Sequence, residues 1–324
     1  MALAVSFMPT VTMTRKITFK GIWHVLKDCF SGFSNDKLLK LSASLAYYTV
    51  FSLGPLLIVM LFLSGIFFGR NAVEGTIYGQ MESFVGHDAA LQLQQIIKNA
   101  AISNKSSFAA VIGVITLLVG ATSMFAEIQD SINMIWGLKP KPKAGWILFL
   151  KNRLLSFGVI ASLGFLLLVS LVITAIIESI SNRIKAHFSS ISVVLFYIIN
   201  LIITFGIVTA LFAVIFKVLP DAKIKWKEVI AGSVATALLF MIGKFAISFY
   251  ISKTSIGSTY GTAGSLVVLL VWIYYSSVIL YFGAEFTKAW ALKYGHPIHP
   301  NEYTVTTQKI EIEKGKQSVQ EVQK

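Results

Sequence analysis

The feature of this sequence that most constrains its fold is a series of six apolar stretches, each long enough to cross a lipid bilayer. A membrane-spanning helix needs about 20 predominantly apolar residues, because the hydrocarbon core is roughly 30 Å thick. The stretches are continuous rather than alternating, which favours helices over the strands of a β-barrel. They lie near residues 44–68, 108–126, 154–177, 191–216, 229–250 and 262–284.

The composition agrees with a membrane protein. Of the 324 residues, 55% are hydrophobic and only 13% are charged, whereas about 25% are charged in ordinary soluble domains. A soluble domain of this size could not cover so much apolar surface, so the excess is expected to face lipid. The sequence therefore predicts an all-α fold: a polytopic six-helix transmembrane bundle with short amphipathic helices at the interfaces.

The distribution of lysine and arginine predicts the orientation of the bundle. If the six spans are correct, 21 of the 28 basic residues lie on one side of the membrane. Positively charged loops stay in the cytoplasm, so both termini are expected inside. The net charge of +13 then follows from topology and from attraction to anionic headgroups, and we expect no nucleic-acid partner.

The chain divides into three parts. Residues 1–40 are expected to form a cytoplasmic tail, residues 41–292 the transmembrane domain, and residues 293–324 a disordered cytoplasmic tail, because that last segment is too polar to bury a core. Apolar residues at helical spacing between 17 and 33 predict a helix, which either lies in the inner interface or packs against the cytoplasmic loops. The first external loop, 69–107, is expected to form amphipathic helices that cap the outer face.

Polar side chains recur on one helix face in the second, fourth and sixth spans. Charged groups within a bilayer are expensive, at least about 2.5 kcal/mol at its centre, so each is a hypothesis about function. We predict that the three faces converge on a polar cavity. Its candidate lining is Ser123, Glu127, Asp130, Asn133, Asn200, Thr204, Tyr274, Ser277, Tyr281 and Glu285.

Each of these features has an alternative interpretation. Glu127 and Glu285 follow apolar stretches at the cytoplasmic surface, so they could be wetted helix ends, and Glu285 could pair locally with Lys288. Lys244, in the fifth span, could face the cavity or extend outward to the interface. Gly54 and Pro55 predict a helix kink in the first span, which either lines a cavity or simply bends the helix.

Sequence motifs typical of enzymes are absent. The chain contains no HExxH, no CxxC pair, no Walker loop and no GxSxG. We therefore expect no enzymatic activity, no catalytic residue, no metal site and no cofactor.

Four segments, taken in order, carry a family resemblance. They are LSASLAYYTVFSLGPLLIVML at 41–61, FAEIQDSINMIW at 125–136, LPDAKIKWKEVIAG at 219–232 and YGTAGSLVVLLVWIYYSSVILYFGAEF at 260–286. Together they resemble the YihY/BrkB family of bacterial inner-membrane proteins, over roughly residues 25–292. The resemblance implies a multi-pass protein of the bacterial cytoplasmic (inner) membrane.

That family has no settled biochemical activity. Some of its members were labelled ribonuclease BN, and one was linked to serum resistance as a virulence factor. A hydrolytic ribonuclease needs metal ligands or acid–base pairs on a water-facing domain, and this sequence offers no such domain.

The polar faces and the glycine–proline pair favour a transport-type protein for a small solute, an ion or a lipid-like molecule. The alternative is a non-transporting scaffold or envelope-assembly factor. The expected partners are membrane lipids and an unknown small-molecule or lipid substrate, and homo-oligomerisation is left open.

Overall fold

A computed structural model describes residues 17–67, 91, 120, 123–141, 191–253, 264–302 and 304–307. The helices are α1 (Phe19–Asn35), α2 (Leu38–Phe67), α3 (123–135), α4 (Ile191–Val218), α5 (Trp226–Lys253) and α6 (Gly264–Tyr294). Four short strands accompany them: β1 (Leu138–Pro140), β2 (Ala222–Lys223), β3 (His299–Pro300) and β4 (Thr304–Thr306).

Within the described residues, three helices are long and apolar enough to cross a membrane. The qualifying stretches are Ile198–Val218 in α4, Trp226–Ile247 in α5 and Leu266–Tyr294 in α6. They correspond to the predicted fourth, fifth and sixth spans, and α2 covers the predicted first span as far as Phe67. The predicted spans at 108–126 and 154–177 fall mostly or wholly outside the described residues, as does the first external loop apart from Leu91. The predominantly helical fold is therefore confirmed, while the number of six spans stays a prediction.

Helix α6 is the centre of the described bundle. It packs against α1, α2 and α5, and α5 in turn packs against α4. The main core lies where these helices meet α3, and its fully buried side chains include Leu38, Ile132, Phe216, Val229 and Tyr281. Burial of this kind explains how apolar residues from distant segments stabilise one structure.

Helix α1 confirms the predicted helix near residues 17–33. The Thr18 side chain caps its start by accepting a hydrogen bond from the Gly21 N–H at 3.2 Å. Val25 and Cys29 are fully buried against α6, beside Phe286 and Ala289. Packing, one of the two expected roles, is therefore observed, although the partner is α6.

The segment after α6 differs from the prediction. Residues 295–302 and 304–307, here called the strap, are ordered rather than disordered. Strand β3 pairs antiparallel with β2, and β4 pairs antiparallel with β1. The prediction of disorder from residue 293 is therefore wrong up to Thr307, because backbone pairing with two loops holds a segment that has no core of its own. Residues 308–324 lie outside the described part of the chain.

Candidate functional site

A hydrogen-bonded polar group lies near the lysine-rich end of the bundle, around the carboxylate of Asp221 in the loop between α4 and α5. The residue is 7% exposed. Its Oδ2 accepts hydrogen bonds from Gln129 Nε2 at 3.1 Å and from Asn133 Nδ2 at 2.9 Å. Its backbone N–H donates to Asn133 Oδ1 at 2.9 Å. Two buried amides on α3 thus solvate a buried charge, which would otherwise be costly.

The strap joins the same group from the other side. The Asp221 carbonyl oxygen accepts hydrogen bonds from the Thr304 hydroxyl and from the Asn301 N–H, both at 3.0 Å. Thr307 adds two hydrogen bonds to the Gly137 carbonyl, at 2.7 Å from its N–H and 3.2 Å from its hydroxyl. The strap therefore fastens the loop after α4 to the loop after α3.

A second polar group lies between α6 and α1. Lys288 Nζ is 3.0 Å from Glu285 Oε1 and 3.3 Å from Asp36 Oδ2. Glu285 is only 3% exposed, so it is not a wetted helix end, and its expected local pairing with Lys288 is present. Gly32 makes room for it, because a Cβ at that position would lie 2.1 Å from Glu285 Oε1.

An open pocket of about 660 Å³ lies between the two groups. Its walls carry both signs of charge: Asp36, Asp130, Lys139 and Lys288. Trp136 also lines it, and the indole N–H of this residue donates to the Ala284 carbonyl at 3.0 Å, which joins α3 to α6. The volume of this pocket lies within the range of small-molecule sites, and four charged side chains line it.

Asp130 lies at an exposed position of α3 and opens to this pocket. Neighbouring protein atoms still partly desolvate its carboxyl group and raise its pKa, and the carboxylates of Glu127 and Asp221 raise the pKa further. Asp130 therefore takes up a proton more readily than an ordinary aspartate.

The other predicted residues of the sixth span lie elsewhere on α6. Tyr281 is fully buried beside Ser131 of α3, and the Ser277 hydroxyl donates within the helix to the Ile273 carbonyl at 2.8 Å. Tyr274 lines a separate apolar pocket of about 600 Å³ between α2 and α6.

The remaining predictions have mixed outcomes. On α4, the Thr204 hydroxyl lies 3.5 Å from Asn200 Oδ1. Neither residue lines the pocket of mixed charge. Ser123 and Glu127 are partly buried on α3. Helix α2 continues through Gly54 and Pro55, so the kink stays a prediction. Lys244 is partly buried on α5.

Sequence reasoning missed two acidic residues near this end of the bundle. Asp221 lies in a segment that carried the family resemblance, but that loop was interpreted only through its lysines. The second is Glu228, in the first turn of α5, whose Oε1 is 3.0 Å from His296 Nδ1 in the strap and accepts the His296 N–H at 3.2 Å. Among the described residues, no three His, Cys, Asp or Glu side chains are placed to hold a metal ion.

Comparison with known proteins matches this chain to one family model and to several membrane proteins. The family model described as Virulence factor BrkB matches residues 29–302. A UPF0761 membrane protein of Methylibium petroleiphilum is 28% identical over 80% of this chain, and the match spans only 60% of that relative. A UPF0761 membrane protein of Aeromonas salmonicida is 27% identical over 85% of this chain and 91% of its own.

A further relative carries a different kind of name. The putative ribonuclease-like protein YfkH of Bacillus subtilis is 26% identical, over 80% of this chain and 92% of its own. No solved structure matches the chain.

Proposed function

The chain belongs to the Virulence factor BrkB family and is a membrane protein, and from that premise we propose that it is a transport-type protein of the bacterial inner membrane. Its cargo is a small solute, an ion or a lipid-like molecule. The observation that carries the proposal is the pocket of mixed charge between α3, α6 and the strap.

The position of the pocket supports a role as a vestibule. Its walls include Lys139 and Lys288, which belong to the lysine-rich side of the predicted six-span topology. Under the positive-inside rule that side is cytoplasmic. The pocket is then the inner mouth of the bundle, with the apolar stretch of α6 running from it into the membrane.

The chemistry of the pocket supports movement of a charged or proton-coupled cargo. Asp130 opens to the pocket, and its pKa is raised because neighbouring protein atoms partly desolvate it and because the carboxylates of Glu127 and Asp221 are near. A carboxylate that gains and loses a proton at the mouth of a bundle can exchange protons with a passing substrate. Lys288, bound to two carboxylates, supplies a cation that can change partners.

Reconstitution of the full chain in liposomes tests this proposal. One arm follows proton movement with a pH-sensitive dye inside vesicles under an imposed potential, and a second follows translocation of a fluorescent phospholipid. We expect Asp130→Asn and Glu127→Gln to reduce flux several-fold, whereas Asp28→Asn on the exposed face of α1 serves as the matched carboxylate control. Flux that neither Asp130→Asn nor Glu127→Gln changes removes these carboxylates from the mechanism.

A non-transporting scaffold is the second candidate, and the strap favours it. Strands β3 and β4 hold two loops together, and Glu285 is paired with Lys288. Both features favour a rigid protein, as expected of a scaffold that does not change conformation. A folded, reconstituted protein that moves neither probe would favour this candidate. We expect no cleavage of precursor RNA by the purified protein, with or without a chelator.

A further inference from the structure

Helix α1 presents three different faces. The first, with Val25 and Cys29, is buried on α6. The second is an aromatic stripe formed by Phe19, Trp23 and Phe30, which are 88%, 65% and 64% exposed. The third is polar and exposed, and it contains Lys20, His24, Lys27 and Ser31. Successive residues of a helix are rotated by about 100°, which places the stripe between the packed face and the polar face.

The aromatic stripe is continuous with a membrane-spanning segment. Phe30 and Phe282 make an edge contact with ring centroids 5.3 Å apart, and Phe33 lies 6.1 Å from the same ring. Phe282 belongs to the apolar stretch Leu266–Tyr294 of α6. Exposure of three large aromatic side chains to water is unfavourable, so we expect an apolar surface to cover them. Because the stripe adjoins Phe282, that surface should be continuous with the one that surrounds the apolar stretch of α6.

The charges beside the stripe indicate the chemistry of that surface. Lys20 and Lys27 are exposed on the adjoining face, and Lys37 and Lys40 are exposed just beyond the end of α1. A helix with aromatic residues on one face and lysines on the next is typical of an interfacial helix, and its lysines are attracted to anionic headgroups.

We propose that α1 docks on the anionic lipid surface of the leaflet at the lysine-rich end of the bundle. Phe19, Trp23 and Phe30 enter the boundary between headgroups and acyl chains, and Lys20 and Lys27 contact the headgroups. Docking also holds one wall of the pocket, because Asp36 at the end of α1 reaches Lys288 and Gly32 packs on Glu285.

Nitroxide labels at adjacent positions test the docking directly. Cys29 is the chain's single cysteine and is buried, so Cys29→Ala provides the background. Labels are placed at Trp23→Cys and Phe30→Cys, with His24→Cys and Ser31→Cys as matched controls one residue further around the helix. In vesicles of phosphatidylethanolamine and phosphatidylglycerol, the ratio of oxygen to nickel-chelate collision rates is expected to be several-fold higher at 23 and 30.

Equal, water-like ratios at all four positions would overturn the proposal. If Cys29→Ala does not fold, quenching by brominated lipids provides a second measurement in a chain that keeps its cysteine. Replacement of Trp23 by Gln should then remove part of the tryptophan quenching, and no loss of quenching would also overturn the proposal.

A separate experiment tests whether the docking depends on the negative charge of the lipid. In vesicles of phosphatidylcholine alone, or with Lys20→Gln and Lys27→Gln together, the collision ratio at residue 23 should fall. A ratio that neither change alters would contradict the anionic surface as the partner. None of these measurements depends on transport.

Discussion

Thr236 of α5 packs directly against Gly283 of α6, and the contact is reciprocated by Thr287 of α6 against Gly232 of α5. A Cβ at Gly283 would lie 2.0 Å from Thr236 Oγ1, and one at Gly232 would lie 1.8 Å from Thr287 Oγ1. Each threonine donates its hydrogen bond to the glycine carbonyl four residues earlier in its own helix, at 2.7 Å. Both hydroxyls are thereby satisfied, and the two helices approach closely, as small residues permit in membrane helices.

The first prediction concerns this close approach. Gly283→Ala should lower the free energy of unfolding by about 1–3 kcal/mol, because the buried, β-branched Thr236 has little room to move. Gly206→Ala on α4 is the matched control, since a Cβ there meets nothing within 4 Å. Thermal unfolding in detergent measures both variants, and equal melting temperatures would show that the helices are not in contact at this point.

The second prediction concerns the amide cage of Asp221. Asn133→Asp would place a second carboxylate where an amide now donates at 2.9 Å, and should destabilise the fold by about 3 kcal/mol through repulsion and a lost hydrogen bond. The exchanged pair Asn133→Asp with Asp221→Asn keeps one acid and one amide, and should recover part of that loss. Equal melting temperatures for the single variant and the exchanged pair would argue against the direct hydrogen bond.

The third prediction concerns pH. The pKa of Asp130 is raised by partial desolvation and by Glu127 and Asp221, so its charged form destabilises the fold at pH values above the raised pKa. Asp130→Asn should therefore increase the melting temperature at neutral pH. The increase should shrink as pH falls through the raised pKa and vanish below the ordinary value of 3.8, where Asp130 is protonated in both folded and unfolded chains.

Asp28→Asn controls for the general effect of removing a carboxylate from this chain. A melting temperature of Asp130→Asn that stays at or below that of the unchanged protein from neutral pH downward would contradict the crowded environment of Asp130.

The fourth prediction concerns the strap. Thr304 is 2% exposed, and its hydroxyl donates to the Asp221 carbonyl at 3.0 Å. Thr304→Val keeps the shape but loses that bond, which should cost about 1–2 kcal/mol and speed backbone amide exchange at residues 299–306. Thr306→Val, at an exposed position of the same strand, should leave exchange unchanged. Equal exchange in the two variants would indicate that the strap is held by its backbone pairing alone.

Much of the helical architecture could be predicted from the sequence because the signals are local. Long apolar stretches at 191–216, 229–250 and 262–284 anticipated α4, α5 and α6 to within a few residues at most of their ends, since length and apolarity alone decide whether a helix suits a bilayer. The C-terminal end of α6 was the exception, because its last ten residues carry enough polar groups to end the apolar pattern while the helix continues to Tyr294.

The pairing of Glu285 with Lys288 was also a local expectation, since residues three apart on a helix are neighbours. The burial of Glu285 was not a local expectation, because it depends on α1 lying across α6 with Gly32 over the carboxylate.

The sequence by itself determined that this chain is a membrane protein and where its long helices lie, because hydrophobicity and helical period act over a single turn or a single span. Only the tertiary structure decided that Asp221 meets Gln129 and Asn133 from about ninety residues away, that Glu228 meets His296, and that a polar strap is ordered. It also decided that Asn200 and Thr204 stay apart from the pocket. The rotation of a helix about its own axis and the partners of a buried charge are properties of packing, which depends on every element that surrounds them.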